Sequence, residues 1–207
     1  MPDIKHFDPD TALEAAMRLF WRQGMASTGI QDVVDVTGLN RSSLYATFGG
    51  KRELYLAALR RYADERAGAA FQVMAEDGRG LPAVADFFAG LVAVRCEGEY
   101  ARWGCMVANA HTGAESGDPD VRALVDRQFG ALREALRAAL GTAAALGQLA
   151  PGTDPGATAE VLALLAFGVN LRSRAGADAA ELHRAVATAL AAFATPAAPA
   201  GGAAPPR

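Results

Sequence analysis

Residues 38–54 have the sequence GLNRSSLYATFGGKREL, and this stretch decides the predicted fold. Gly38-Leu39-Asn40 separates two short helices predicted at residues 30–37 and 41–48, and Gly49-Gly50 closes the second. Two short helices around a glycine-containing turn, braced by a helix before them, form a helix-turn-helix. Its second helix presents N-terminal side chains to base edges in a major groove while its other face packs on a support.

The chain upstream of this stretch predicts the supporting helix. Asp8 is an N-cap residue and Pro9 suits the first helical position, although Thr11 and Glu14 form a competing capping box. Gly24 is the expected end of the helix. Apolar residues between these limits recur at helical spacing and predict one buried face, which consists of Leu13, Ala16, Met17, Phe20 and Trp21.

Downstream of the motif the sequence also predicts helices only. A long helix is expected from about Lys51 to about Glu76, before a break at residues 77–80. Asp-Pro pairs at residues 118–119 and 154–155 predict the starts of two further helices. Because β-branched residues are sparse and no strand-like alternation occurs, the sequence predicts an all-α fold.

The composition limits the class of protein. With 207 residues, 51% of them hydrophobic, and a net charge of −3, the chain has a packed core and does not coat nucleic acid indiscriminately. Seven basic residues against three acidic ones between Arg18 and Arg61 leave a local basic surface at the motif. The N-terminal sequence has no signal-peptide pattern, and the longest apolar run, residues 161–169, is far shorter than a membrane span. We therefore expect a cytoplasmic protein that does not contact a membrane.

Signatures of catalysis and of metal binding are missing from the sequence. It contains no glycine-rich phosphate loop after a strand, no HExxH and no plausible nucleophile–base spacing. His6, His111 and His183 are scattered, and no Cys/His pair has ligand spacing. We therefore expect no enzymatic activity, no metal and no cofactor.

Residues 11–55 resemble the N-terminal domain of TetR-family transcriptional regulators. The stretch quoted above is similar to the family pattern Gly-hydrophobic-x-x-x-x-Leu-Tyr-x-x-Phe-x-x-Lys-x-x-Leu, filled here by Gly38, Leu39, Leu44, Tyr45, Phe48, Lys51 and Leu54. The resemblance implies a homodimer that binds double-stranded operator DNA of pseudo-palindromic sequence. It also implies that the protein is a repressor, as most members are, and that a small-molecule effector releases it from DNA.

The resemblance implies that the first turn of the recognition helix faces bases or nearby phosphates. The residues in that turn are Arg41, Ser42 and Ser43, and Asn40 would cap the helix. Gln31, in the first turn of the preceding helix, would touch a base or the backbone.

Further contacts implied by the resemblance involve the sugar-phosphate backbone. They come from Tyr45, from Lys51 at the start of the long helix, and from Thr47, where the family often has His or Tyr. Gly29 stands where the family usually has Ser or Thr, so the contact would shift to Thr28 or to the main chain. Taken singly, Tyr45 is typical of a core residue and Lys51 of a solvated charge; their joint spacing favours the DNA interpretation.

These patterns divide the chain into four parts. Residues 1–50 are expected to form the helix-turn-helix DNA-binding domain and residues 51–77 a connecting helix. Residues 78–194 would form a helical ligand-binding and dimerisation domain. Residues 195–207, rich in Pro, Ala and Gly, are expected to be a disordered tail.

The helix predicted from Pro155 to Arg174 is apolar on nearly every face, which indicates burial on two sides. With the amphipathic last helix it would form the four-helix dimer interface typical of the family, through Leu162, Leu165, Val169, Val186 and Leu190. The alternative is an ordinary buried core helix.

Large soft and aromatic side chains of the C-terminal part have the composition of an apolar pocket for a small apolar or aromatic effector. They are Phe71, Met74, Phe87, Phe88, Leu91, Trp103, Met106 and Phe129, with Asn109 and His111 as polar groups. Because any helical core has the same composition, simple core packing is the alternative. The pocket interpretation predicts a cavity around Phe88, Trp103 and Met106.

Two other functions remain open from the residues. The chain could be a small-molecule-binding protein whose DNA motif is vestigial, although Arg41 and Lys51 are present at the motif. It could also be a thiol- or redox-responsive regulator that uses Cys96 or Cys105, since Arg95 and Arg102 lie close in sequence.

Overall fold

The computed structural model describes residues 8–196, and its regular elements are helical apart from one isolated bridge between Leu149 and Ala194. The predicted all-α fold is confirmed. Residues 197–207, most of the predicted tail, lie outside the described residues. The helices are α1 (Pro9–Gln23), α2 (Ile30–Thr37), α3 (Arg41–Phe48), α4 (Lys51–Arg61), α5 (Ala69–Glu76), α6 (Leu81–Cys96), α7 (Met106–Thr112), α8 (Pro119–Ala145), α9 (Pro155–Arg174) and α10 (Ala179–Phe193).

The start of α1 follows from its capping residues. The Asp8 carboxylate accepts hydrogen bonds from the Asp10 amide (3.1 Å) and from the Thr11 hydroxyl (2.6 Å), so Thr11 supports this cap and does not form its own. Gly24, with φ of 81°, ends the helix. The buried face contains Ala12 in addition to four of the five predicted residues, while Leu13 is only partly buried.

The long helix predicted from Lys51 to Glu76 is continuous but contains a π-helical segment, Tyr62–Gly68, between α4 and α5. The buried side chain of Gln128 on α8 donates a hydrogen bond to the carbonyl oxygen of Ala63 inside this segment (3.3 Å). A π-helical segment interrupts the hydrogen-bond pattern of the α-helix, so a donor from a neighbouring helix can reach a main-chain carbonyl oxygen.

Two hydrophobic clusters form the core, and α8 contributes to both. The first cluster joins α1–α4 to α7 and to the N-terminal part of α8, including Val121, Leu124 and Val125. The second joins α5, α6, α9 and α10 to the C-terminal part of α8, including Leu136 and Leu140. The core behind the helix-turn-helix therefore extends into the C-terminal half of the sequence.

The indole ring of Trp21 connects α1 to the segment before α7. The Trp21 indole N–H donates to the carbonyl oxygen of Gly104 (2.8 Å), and its ring packs against Tyr62, Tyr100 and Trp103 with centroids 4.9–5.2 Å apart. Such aromatic pairs add to the free energy of burial. The α1 helix is thereby tied to the segment that precedes α7.

Gly80, at the start of α6, packs closely on the C-terminal end of α8. Its φ is 73°, and a Cβ atom there would overlap Gln148 Oε1 and lie 2.8 Å from Ala143 Cα, which belongs to the α8 backbone. Gly78 has φ of 62° and open space around it. Gly78→Ala should lower the free energy of unfolding by about 1–2 kcal/mol through backbone strain alone. Gly80→Ala should cost about 1–3 kcal/mol more, because α8 must shift.

Urea unfolding of the two variants beside the wild type measures this difference. Equal midpoints for Gly78→Ala and Gly80→Ala would show that Gly80 does not pack closely on α8.

Candidate DNA-binding surface

The position of α3 is fixed at both ends and on one face. The Asn40 carboxamide oxygen accepts a hydrogen bond from the Ser43 amide (2.8 Å), as an N-cap does, and Gly49, with φ of 88°, ends the helix. Leu44 is fully buried against the first cluster. This anchoring turns the opposite face of α3 outward.

The outward face carries the side chains that the sequence assigned to DNA. Those of Arg41, Ser42 and Thr47 are exposed, Ser43 is half-buried, and Tyr45 is 53% exposed despite its size. Asn40 and Gln31 are exposed beside them. The structure thus brings seven of the nine predicted residues to one accessible surface.

Arg41 is linked to α2 through an amide and has no acidic partner. Its Nη2 lies 3.5 Å from Gln31 Oε1, and Gln31 Nε2 donates to Asp35 Oδ1 (2.8 Å). No salt bridge to Arg41 occurs among residues 8–196. Its guanidinium therefore retains its charge and most of its N–H donors for a ligand.

Thr28 does not lie on this surface, which corrects the sequence-based expectation. Its side chain is buried, and its hydroxyl donates to the carbonyl oxygen of Gly24 (2.7 Å). The amide of Gly29 is also occupied, because it donates to Asp32 Oδ2 (2.7 Å). The turn before α2 satisfies its polar groups internally, so neither residue presents a free donor there.

Lys51 has a structural partner that the sequence did not reveal. Its Nζ donates to the carbonyl oxygens of Thr28 (2.7 Å) and Met25 (3.1 Å) and thereby closes the turn between α1 and α2. An ammonium group has three N–H donors, so one remains for a phosphate.

A second contact of the α4 start was also missed. Arg52 makes a two-pronged ion pair with Asp118 (2.6 and 2.7 Å) and a further bond to Asp120 (2.7 Å), across 66 and 68 residues. The hydrogen bonds from Arg52 hold the pKa of the Asp118 carboxyl below its usual value. Asp118 also caps α8, as the Asp-Pro pair predicted. In the sequence, only this capping role drew attention to Asp118, and nothing there indicated its ion pair with Arg52.

One turn further along α4, Tyr55 makes a buried contact with the same region. Its hydroxyl donates to Glu115 Oε1 (2.9 Å), and burial raises the pKa of Tyr55. The start of α4 is therefore bound to the residues before α8 by both an exposed and a buried polar contact.

The predicted single pocket does not form in this structure. Six of its residues pack in the second cluster, namely Phe71, Met74, Phe87, Phe88, Leu91 and Phe129. Trp103 and Met106 pack in the first, because Trp103 lies against Trp21 and Tyr100. His111 is exposed, and Asn109 donates to the Trp103 carbonyl oxygen. An open surface groove, lined mostly by exposed residues, lies between the π segment, α5 and α8.

Three of the five predicted dimer residues lie in the chain's own core, and the other two stay predictions. Leu162, Val169 and Val186 are at most 5% exposed and belong to the chain's own core, while Leu165 and Leu190 are half-buried against it. The outer face of α9 carries the exposed Val161, Leu164 and Leu171. Because α9 is apolar on nearly every side, its sequence did not reveal which face the chain buries for itself.

The two cysteines differ in their surroundings. Cys96 is half-buried, and burial raises the pKa of its thiol, which disfavours the reactive thiolate. Cys105 lies at the N-cap of α7, also half-buried. Both thiols are free.

Residues 8–196 contain no group of three His, Cys, Asp or Glu side chains arranged to hold a metal ion. None of the helices in this range combines the length and apolar character needed to cross a bilayer.

Family models match most of the chain. The model described as "Bacterial regulatory proteins, tetR family" matches residues 12–58, and the model "Tetracyclin repressor-like, C-terminal domain" matches residues 80–189. The HTH-type transcriptional repressor ComR of Escherichia coli (strain K12) is 30% identical over 187 residues, which are 90% of this chain and 89% of ComR.

Solved structures show the same arrangement of helices. The TetR family regulator CifR, a cysteine mutant complexed with 26-bp double-strand operator DNA, is 29% identical with a TM-score of 0.78, over 90% of this chain and 97% of CifR. The reduced form of Escherichia coli NemR has a TM-score of 0.78 at 20% identity, over 91% of this chain and 98% of NemR, and shows the fold alone.

The contacts of Lys51 predict a cost in stability. Lys51→Met leaves the carbonyl oxygens of Met25 and Thr28 without their donor, so the free energy of unfolding should fall by about 1–3 kcal/mol in urea unfolding. Arg60→Met is the matched control, because Arg60 is exposed on the same helix and its side chain forms no hydrogen bond or ion pair within residues 8–196. If both variants unfold at the wild-type urea concentration, Lys51 does not brace the turn.

Proposed function

Because the chain belongs to the TetR family of bacterial transcriptional regulators, we propose that it is a cytoplasmic repressor that binds a pseudo-palindromic operator as a homodimer and releases it when a small molecule binds. The family consists of DNA-binding regulators and not of enzymes. The observation that carries the proposal is the outward face of α3, where Tyr45 is exposed and Arg41 has no acidic partner among residues 8–196.

This face has the chemistry that a major groove requires. Arg41, Ser42 and Ser43 would supply donors for base edges or nearby phosphates, and Tyr45 and Thr47 would contact the backbone. Lys51, at the start of α4, would add a phosphate contact through its remaining N–H. Gln31 would contribute from α2, through the group that also orients Arg41. The CifR complex supports this use of the fold, since that protein is bound to operator DNA.

A dimer is part of the proposal because one helix-turn-helix makes too few contacts for tight specific binding. Two copies place their recognition helices in successive major grooves, about 34–36 Å apart. The exposed apolar side chains of α9, Val161, Leu164 and Leu171, support an interface with the same face of a second copy.

The effector would act on the helix that begins at the DNA. The candidate site is the open groove lined by the π segment that continues α4 and by α5 and α8, where the charged side chains of Asp64, Glu65 and Arg127 would contact a polar ligand. A ligand there would favour one position of α4 over another, with a coupling of about 1–3 kcal/mol.

Selection of bound sites from random DNA tests the DNA claim. We expect a symmetric motif for the wild type. Arg41→Ala should lose about 1–3 kcal/mol of affinity and relax the preference at one position in each half-site. Tyr45→Phe should weaken binding to all sequences without changing the preferred motif, because a phosphate contact carries no sequence information.

Arg137→Ala is the control, since Arg137 is exposed on α8 and its one ion pair within residues 8–196 is with Glu134. Recovery of no enriched motif by the wild type, or an equal loss of affinity in Arg137→Ala, would contradict the assignment of α3 as the recognition helix.

The dimer claim has its own test in sedimentation velocity. Leu164→Glu places a charge on the exposed face of α9 and should convert the dimer into a folded monomer, because an unpaired charge at an apolar interface is costly. Val73→Glu, on the exposed face of α5, should leave the dimer intact. A dimeric Leu164→Glu protein would place the interface elsewhere.

A further inference from the structure

A small cleft of about 190 Å³ lies beside α1, where the helix-turn-helix meets the segment before α7. Four of its residues are spaced three or four positions apart on one face of α1, and one each comes from α2 and from the segment before α7. These residues are Ala15, Arg18, Leu19, Arg22, Val36 and Trp103. The cleft shares no lining residue with the α3 surface or with the groove between α5 and α8.

The charge of this cleft is positive. Arg22 is exposed and forms no salt bridge with any residue between 8 and 196. Arg18 pairs through Nε with Glu14 (2.9 Å) and through Nη1 with Glu99 (3.1 Å). Arg18 is therefore neutralised by two carboxylates, while Arg22 has no counter-ion within the described part of the chain.

The other walls of the cleft are apolar and aromatic. Trp103 packs edge-on against Trp21 (centroids 5.2 Å apart) and against Tyr100 (5.2 Å), which fixes the orientation of its indole ring. Val36 is 44% exposed, an unusual position for a valine on an otherwise polar helix surface. A ligand that filled the cleft would cover Val36 and the accessible part of Trp103.

We propose that this cleft binds a small aromatic carboxylate with a single ring. Arg22 forms the charge-assisted hydrogen bonds with the carboxylate, and Trp103, Leu19 and Val36 pack on the ring. The cleft has room for one ring but is open to solvent, so the ring would lie against Trp103, Leu19 and Val36 with one side exposed. A cationic ligand is disfavoured by Arg22, and an inorganic anion would leave the apolar walls uncovered.

The two tryptophans of the chain provide the readout. Trp103 lines the cleft and Trp21 touches Trp103, and the chain contains no other tryptophan. Benzoate, titrated at constant ionic strength into the full-length protein without DNA, should change the tryptophan fluorescence saturably in the millimolar range. Benzamide, which has the same shape without the charge, should bind at least tenfold more weakly.

Variants assign the effect to this cleft. Arg22→Gln should weaken benzoate binding about tenfold through loss of the charge-assisted bond. Val36→Glu, an exposed substitution that adds a negative charge at the cleft, should weaken it as well. Arg137→Gln, on the distant surface of α8, should bind benzoate like the wild type. Circular dichroism spectra of the variants serve as the control that each variant is folded.

The proposal is overturned if benzoate produces no saturable change, if benzamide binds equally well, or if Arg22→Gln and Val36→Glu both retain wild-type affinity. It is also overturned if Arg22→Gln lowers DNA affinity and the salt slope while benzoate binding is unchanged, because Arg22 then contacts a phosphate. Since benzoate is titrated without DNA, failure here leaves the proposed repressor function standing.

Discussion

Two consecutive side chains at the start of α4 connect this helix to two different parts of the molecule. Lys51 donates to the carbonyl oxygens of the turn before α2, and Arg52 binds Asp118 at the start of α8. Tyr55 adds a buried hydrogen bond to Glu115 one turn later. Side-chain hydrogen bonds from α4 therefore reach both the turn before α2 and the start of α8.

The distribution of the core connects the same parts of the molecule. The cluster behind α3 contains residues of α7 and of the first turns of α8, and Trp21 fastens α1 to Gly104. The open groove on the π segment and α5 also involves α8, at Arg127 and Gln128. Under the proposed function, α8 would connect a ligand in that groove to this cluster.

Local signals in the sequence predict most of the fold. Asp8, Asn40, Asp118 and Asp154 each cap a helix where they were expected to, because a cap involves only residues two or three positions away. The outward face of α3 was also predictable, because the burial of a single leucine, Leu44, determines which side of this short helix faces outward.

The remaining features depend on partners far away in sequence. Arg52 finds Asp118 across 66 residues, and no pattern within α4 indicates it. Large apolar side chains such as Phe88 and Trp103 suit either cluster, so composition alone joined them into one pocket. In α9 the buried Leu162 and the exposed Leu164 have the same chemistry, and only the packing of α8 and α6 distinguishes them.

The central claim is that α3 enters the major groove of DNA. Dimethyl sulfate footprinting on a bound duplex with guanines in both half-sites examines both grooves at once, because guanine N7 lies in the major groove and adenine N3 in the minor groove. The account predicts protection of guanine N7 in two tracts about one helical turn apart, with adenine N3 reactive between them. Unprotected N7 atoms in a saturated complex, or protection confined to adenine N3, would contradict it.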